Sequence, residues 1–396
     1  MELSKAIPQG YKQTEVGLIP EDWSTQKLGD LVSITSGESP SKFDFHTSGL
    51  PYFKVEQLNN GEKYAELTDY FIQSNKAVPA GSIIFPKRGA SILSNKIRLL
   101  KNPSFMDTNL MALTTHEVLD SEFLFYYLNF YGLDSVADTT SIPQINNKHI
   151  IPYVICTPSL QEQKAITKAL SDVDTLLAQL DALIAKKRDL KQAAMQQLLT
   201  AQTRLPGFSG EWELRPLGSI CTLINGRAYG IHEWKNSGTP VIRLQNLTGG
   251  ENYYHSDLQL PSRQYCEYGD LLFMWSATFG PHIWLGEKAI FHYHIWKIET
   301  DPSSTDKYFI YHKLEEITQE LKQNSTNGGT MLHLTKGFME QLKVLVPPTQ
   351  EEQTAIAETL SDMDTEITAL EARRDKTRAL KQGMMQELLT GKTRLI

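Results

Sequence analysis

The chain is written twice. Residues 158–205 return as residues 348–395, at an offset of about 190, with roughly half of the paired positions identical. Glu162-Gln163 recurs as Glu352-Gln353, Leu170-Ser171-Asp172 as Leu360-Ser361-Asp362, and Leu190-Lys191-Gln192 as Leu380-Lys381-Gln382. Leu198-Leu199-Thr200 and Thr203-Arg204-Leu205 come back as Leu388-Leu389-Thr390 and Thr393-Arg394-Leu395. A repeat of this length outranks local propensity, because it fixes how many units there are and in what order. The blocks ahead of the repeated segments echo each other only faintly. Trp23 with Leu28-Gly29 answers Trp212 with Leu217-Gly218, and Gly81-Ser82-Ile83-Ile84-Phe85 answers Gly269-Asp270-Leu271-Leu272-Phe273. The expected organisation is a divergent block over 1–157, a repeated one over 158–205, a second divergent block over 206–347 and a second repeated one over 348–396.

Both repeated blocks predict long helices. Each opens after a proline with a capping box, Ser159 to Glu162 and Thr349 to Glu352, in which the hydroxyl accepts a helical N–H and the Glu reaches back to the cap. Ile166, Leu170, Val173, Leu177, Leu180 and Ile184 step by fours and threes, which is a heptad seam. The second copy carries Ile356, Leu360, Met363, Ile367 and Leu370, and its apolar run stops at Arg374. About 40 helical residues at 1.5 Å each make a rod of about 60 Å. One apolar face on each rod implies that the two pack on each other.

The divergent blocks are each long enough for a core of their own. Short β-type runs recur at 31–35, 82–85, 150–156, 271–275, 290–298 and 342–346, with helical patterns near 121–131 and 306–323. The fold class expected is therefore α+β: two α/β-type domains alternating with two paired helices. Composition adds limits. Three cysteines at Cys156, Cys221 and Cys266 make no disulfide or zinc framework, so a reducing, cytoplasmic setting is expected. No apolar run approaches a membrane span. A net charge of −7 argues against a simple histone-like binder. Charge is local, however: residues 71–106 hold no Asp or Glu, yet contain Lys76, Lys87, Arg88, Lys96, Arg98 and Lys101.

Catalytic readings fail on their own terms. The single Pro-Pro, Pro347-Pro348, lacks the flanking residues of an adenine methyltransferase motif. Gly391-Lys392-Thr393 has Gln386 where a phosphate loop needs its first glycine. His292-Tyr293-His294 would set two imidazoles on one side of a strand. No Cys or carboxylate stands at ligand spacing, so no metal is expected. No catalytic residue is assigned.

Two copies that keep their helices alike and let their globular blocks diverge suit a protein that does one task twice and two related tasks once each. In this arrangement the chain resembles the specificity subunits of type I restriction-modification systems, over essentially its whole length. The marks are the Pro-hydroxyl-x-x-Glu-Gln entries at Pro158 and Pro348 and the Leu-Lys-Gln-x-x-Met-Gln-x-Leu-Leu-Thr exits at Leu190 and Leu380. The domain starts at Gly17 to Trp23 and Phe208 to Trp212 belong with them. The resemblance implies two target-recognition domains, each reading one half of a bipartite asymmetric site in double-stranded DNA. It also implies an antiparallel helix pair that sets the gap and carries two methyltransferase subunits. Those subunits would use S-adenosylmethionine on adenine N6, and restriction/translocase subunits would cleave with ATP and Mg²⁺; this chain itself would hold no cofactor. The alternative is a coiled-coil scaffold with two dissimilar protein-binding domains.

Residue type and context name the candidate DNA contacts. In the first block these are Lys87, Arg88, Ser91, Asn95, Lys96 and Arg98, then Gln144, Asn146 and Lys148 in the polar loop before the last strand. Arg and Lys suit phosphates and guanine edges, and Asn and Gln suit adenine N6/N7. In the second they are Arg227, Tyr229, Arg243, Gln245, Ser276, Thr278, His282, Asn327 and Lys336. Trp275 is expected to be core.

Overall fold

The computed structural model of the chain describes residues 7–139, 141–276, 279–325 and 334–395. The two long helices are Leu160–Leu199 and Gln350–Leu389, 40 residues each. Contacts divide the chain into two compact units that cut across the repeat. One contains residues 1–180 and 373–396, the other 181–372. Each unit thus has one globular block, the first half of the helix that follows it and the second half of the other helix.

In the first unit a five-stranded sheet runs in the order Val32–Ser36, Leu110–Thr115, Ile83–Pro86, Arg98–Leu100 and Tyr64–Ala65. A four-stranded sheet has the order Phe105–Met106, Leu50–Phe53, Phe71–Ile72 and Phe45–His46. The helix Ser121–Tyr131 buries Phe123 to Leu128 in the core under the larger sheet. The second unit follows the same plan. One of its sheets orders Cys221–Asn225, Ile295–Thr300, Leu271–Met274 and Gly280–Ile283. The other orders Tyr254–Ser256, Thr239–Ile242, Ala289–Phe291 and Tyr265–Cys266. Its helix is Lys307–Ser325. Two runs read as single strands divide. The 290–298 run breaks at His292–His294, which form the turn between Ala289–Phe291 and Ile295–Thr300. The 150–156 run yields a strand only at Val154–Thr157, because 147–150 make a helical turn ahead of Pro152.

The helix halves run antiparallel within each unit. In the first, Asp174 meets Lys381 at 2.5 Å and Glu162 meets Arg394 at 2.7 Å. In the second, Lys191 meets Asp364 at 2.7 Å and Arg204 meets Glu352 at 2.5 Å. Every pair joins residues whose repeat mates form the other pair. Ile166 and Leu170 pack into the first core with Met385, Leu388 and Leu389; Ile356 and Leu360 pack into the second with Met195, Leu198 and Leu199. Each such fully buried aliphatic side chain contributes about 1.5–3 kcal/mol. Leu180, Ile184 and Ile367 are also buried, while Val173, Leu177, Met363 and Leu370 are half-buried. The second seam does not end at Arg374. The heptad continues through buried Thr377 and half-buried Lys381, so it turns polar instead of stopping.

The capping boxes form by half. Ser159 and Thr349 accept the N–H of Glu162 and Glu352 at 3.2 and 3.3 Å. The glutamates do other work. Glu162 takes Trp23 Nε1 at 3.1 Å together with the Arg394 guanidinium, and Glu352 takes Trp212 Nε1 at 3.3 Å together with Arg204. The adjoining glutamines accept from Asp120 N–H at 2.8 Å and Asp306 N–H at 2.9 Å, just where the domain helices begin. The repeated Glu-Gln dipeptide therefore ties three elements together: the domain's opening tryptophan, its helix and the exit of the other long helix.

All three cysteines are buried, and burial pushes the thiols up, to about 11 for Cys156 and about 12 for Cys221 and Cys266. Among the described residues, no helix is long and apolar enough to cross a membrane.

Candidate nucleic-acid interface

Lys87 and Arg88 leave the strand Ile83–Pro86 at the point where the polar loop returns. The Lys87 carbonyl accepts from Ile145 N–H at 2.9 Å, Gly89 N–H donates to Pro143 at 2.8 Å, and Arg88 bridges to Gln144. The acid-free stretch and the loop therefore share one edge, which presents exposed Arg88, half-buried Lys87, and Gln144 bonded to Asn146 at 3.3 Å. Burial, reinforced by the neighbouring Arg88 charge, holds the Lys87 ammonium below its ordinary range. Ser91 and Lys96 are half-buried in the following loop, and Lys148 is exposed.

Two candidates of this block serve the fold. Arg98 is 8% exposed and donates to the carbonyls of Leu58 at 2.8 Å and Ile97 at 2.6 Å. Asn95 sits at φ +47°, gives its amide to Asn129 O at 3.2 Å and accepts Leu133 N–H at 3.0 Å. Both fix loops from within, because a buried polar group must find partners and these groups supply them.

The second block carries a cationic and aromatic cluster. Arg227 is held by Glu233 in a two-pronged pair, at 3.0 and 2.6 Å, and lies 5.0 Å from the Tyr229 ring. That pair holds the Glu233 carboxyl down at about 2. Tyr229 is buried, 9% exposed. Arg243 lies over Tyr254 at 5.2 Å and Trp234 at 5.9 Å. His292, 6.4 Å from both Tyr229 and Trp234, is pushed down to about 4 by burial, then by His294 and Arg243. Gln245 is exposed and donates to Asn252 O at 3.2 Å. Ser276 and His282 are half-buried, and burial pushes the His282 imidazole down. Lys336 pairs with Glu340 at 3.4 Å. Trp275 is partly buried against the core and donates Nε1 to Tyr293 O at 2.8 Å. Thr278 and Asn327 lie outside the described residues.

Topology aligns the two edges position by position. Lys87 N–H donates to Asn109 O as Trp275 N–H donates to His294 O, and both residues follow the same strand of the plan. Glu38 N–H donates to Met106 O as Arg227 N–H donates to Phe291 O. Arg98 pairs in register with Ile84, and His282 with Leu272. Matching positions thus hold Lys and Trp, Glu and Arg, Arg and His. Reading residue types alone missed the rings Trp234 and Tyr254, and it missed Lys54. A basic residue at a strand exit was the available signal, but only the sheet order reveals the rings beside it.

His312, Glu315 and Asp364 bring ligand-type atoms within 4.8 Å of one another. The cation among them is Lys191, whose Nζ is 2.9 Å from Glu315 and 2.7 Å from Asp364. This cluster ties the second unit's domain helix to both long helices.

The sequence model of the type I restriction modification DNA specificity domain matches twice, over residues 20–186 and 209–378. A specificity subunit of the type I restriction enzyme MjaVIII from Methanocaldococcus jannaschii is 24% identical over 98% of this chain and 96% of its own length. The EcoBI specificity subunit of Escherichia coli is 25% identical over 46% of this chain and 39% of its own. In fold, the chain is similar to the S subunit of a type I restriction-modification system from M. genitalium. The TM-score is 0.58 at 16% identity, covering 92% of this chain and 96% of that one. Two matches in tandem, each taking in one globular block and much of the helix behind it, place this chain in the type I restriction-modification DNA specificity family.

Proposed function

We propose that the chain is the DNA-reading subunit of a type I restriction-modification complex and performs no chemistry itself. Each globular block, 1–157 and 206–347, reads one half of a bipartite, asymmetric target in double-stranded DNA. The repeated segments, 158–205 and 348–396, set the gap and dock two methyltransferase subunits that modify adenine N6 with S-adenosylmethionine. With restriction/translocase subunits, ATP and Mg²⁺, the complex cuts unmodified DNA in the cytoplasm. The observation that supports this reading best is the pairing of one topology with unlike edges: matching positions hold Glu38 and Arg227, Lys87 and Trp275. Shared backbone with different donors and acceptors is what two different half-targets require. The first edge would act through Lys87, Arg88, Gln144 and Asn146, the second through Arg243 and Gln245.

Sequencing methylated DNA from cells with and without the gene tests the proposal. A two-part methylated motif present only with the gene is the expected result. Its absence, together with loss of target-specific gel shift by the assembled complex, would return the chain to the scaffold reading. Arg88→Ala is expected to weaken target binding by about 1–3 kcal/mol if it meets a base.

A further inference from the structure

One feature recurs in both domains with different residues. The strands Leu50–Phe53 and Thr239–Ile242 are equivalent. Each pairs antiparallel with one neighbour, Phe71–Ile72 or Tyr254–Ser256, and parallel with another, Phe105–Met106 or Ala289–Phe291. The residue leaving the strand is Lys54 in the first domain and Arg243 in the second. Its backbone is fixed alike in both: Lys54 N–H donates to Gln57 Oε1 at 2.8 Å, and Arg243 N–H to Asn246 Oδ1 at 2.9 Å. Its charge is also held alike. Lys54 Nζ lies 3.4 Å from the Tyr70 ring centre and 5.4 Å from Phe45. Arg243 lies 5.2 Å from Tyr254 and 5.9 Å from Trp234. In each case one ring, Phe45 or Trp234, comes from the segment between the strand Val32–Ser36 or Cys221–Asn225 and the exit strand, and the other, Tyr70 or Tyr254, from the segment that pairs beside the exit strand.

Other cations of the two domains are paired internally. Lys42 and Lys76 pair with Glu38, and Arg227 pairs with Glu233. Among the described residues, no carboxylate lies within ion-pair distance of Lys54 or Arg243. A cation on an aromatic face keeps its N–H donors, since the ring engages charge and not hydrogen-bond capacity. At this position each domain therefore holds a half-buried, oriented cation with donors available and, among the described residues, no carboxylate at ion-pair distance. Orientation matters chemically: a phosphate accepts from a loosely held lysine, whereas a base edge demands a donor fixed in place.

We propose that Lys54 and Arg243 are equivalent specificity-determining residues, each donating to an acceptor edge of a base in its own half-target. Arg243 presents a planar fork that suits guanine O6 and N7, while Lys54 presents a single ammonium, so the same scaffold position asks two different questions of the duplex. This rests on the DNA-reading function proposed above.

The test uses the complete complex with Lys54→Ala, Lys54→Arg, Arg243→Ala and Arg243→Lys. The readouts are methylated-motif sequencing and competition binding against duplexes altered one base pair at a time. The alanine variants are expected to lower affinity for the cognate duplex about tenfold or more. The Lys–Arg exchanges, which keep charge and bulk, are expected to relax or alter preference within one half of the motif only, and in opposite halves for the two residues. An unchanged motif in all four variants, or a uniform loss across both halves in the charge-keeping pair, would overturn the inference. A wild-type complex that yields no two-part motif would instead overturn the functional reading beneath it.

Discussion

The two latches and the two domain edges have diverged to opposite extents. Trp23, Glu162 and Arg394 in one unit and Trp212, Glu352 and Arg204 in the other are the same three residue types in the same bonds. The edges place Glu38 against Arg227 and Lys54 against Arg243 on one backbone plan. A latch has one geometric problem to solve, closing a domain onto two helix ends, and a buried carboxylate facing a guanidinium and an indole solves it twice. An edge that meets an external surface is free to differ, since its partners are outside the chain. Breaking either latch should therefore destabilise its own unit in the same way, and altering the edges should have unlike consequences.

The largest expected effect is at the latch glutamates. Glu352 is 1% and Glu162 4% exposed in the side chain; Glu352→Ala takes from Arg204 its carboxylate partner, whereas Glu162→Ala leaves Arg394 paired with the exposed Asp22 at 2.6 Å. Loss of one partner of such a pair costs about 3–5 kcal/mol. Urea unfolding of each variant should show the larger loss for Glu352→Ala, because Asp22 still holds Arg394 when Glu162 is removed. Pairing Glu352→Ala with Arg204→Met should recover part of the loss, because the uncompensated charge goes with it. Equal losses at the two glutamates would mean that the exposed Asp22 pair contributes nothing to the first latch.

This contrast also explains what was legible in the sequence. The helices, their packing on each other and the domain helix at Ser121–Tyr131 followed from periodicity, caps and the repeat, while the antiparallel sense came only with the family resemblance. The role of Glu162 did not, because the capping box it fits is a local rule and the arginine that claims it lies 232 residues away. Arg98 looked like a contact because it stands in an acid-free stretch. Its carbonyl partner Leu58 is 40 residues distant, and nothing in a linear reading announces it. His292 and His294 looked like alternating strand residues, but the chain changes sheets between them. Local signals set the elements, and long-range satisfaction of polar groups decided which side chains remained free.

Arg98 and His282 sharpen the comparison at the next level down. They share a position in the plan, yet Arg98 is bonded inward. Arg98→Met leaves the Leu58 carbonyl without its donor, at a cost of about 1–3 kcal/mol to the first unit. Target affinity measured below the unfolding range should be unchanged. A selective fall in affinity without loss of stability would restore Arg98 to the interface.

The polar seam gives a smaller, graded difference. Lys191 is 10% exposed and binds both Glu315 and Asp364, while its repeat mate Lys381 is 25% exposed and pairs with Asp174. Lys191→Met should cost about 2 kcal/mol, since two carboxylates lose their cation in a largely buried site. Lys381→Met should cost about 1 kcal/mol or less, as expected for a more solvated pair. Hydrogen exchange along the two long helices would register the difference as earlier opening of 181–199 than of 373–389.

The helix exits, where the repeat preserved geometry but not residue, give effects of opposite sign, the stabilising one being the smallest. Gly391 has φ +71° and its mate Ala201 φ +61°, and the N–H of Thr393 and Thr203 returns to Glu387 and Gln197 at 3.1 Å in both. The left-handed conformation costs a residue with a Cβ about 1–2 kcal/mol. Gly391→Ala would incur that cost and also drive a Cβ to 2.5 Å from Pro20 Cδ, so thermal unfolding should show a clear loss. Ala201→Gly relieves the strain while adding the entropy of a freer unfolded chain, about 0.5–1 kcal/mol, so the net gain is under about 1 kcal/mol. Opposite signs at two positions related by the repeat would show that the exit turn, and not the identity of its residue, is what both copies retain.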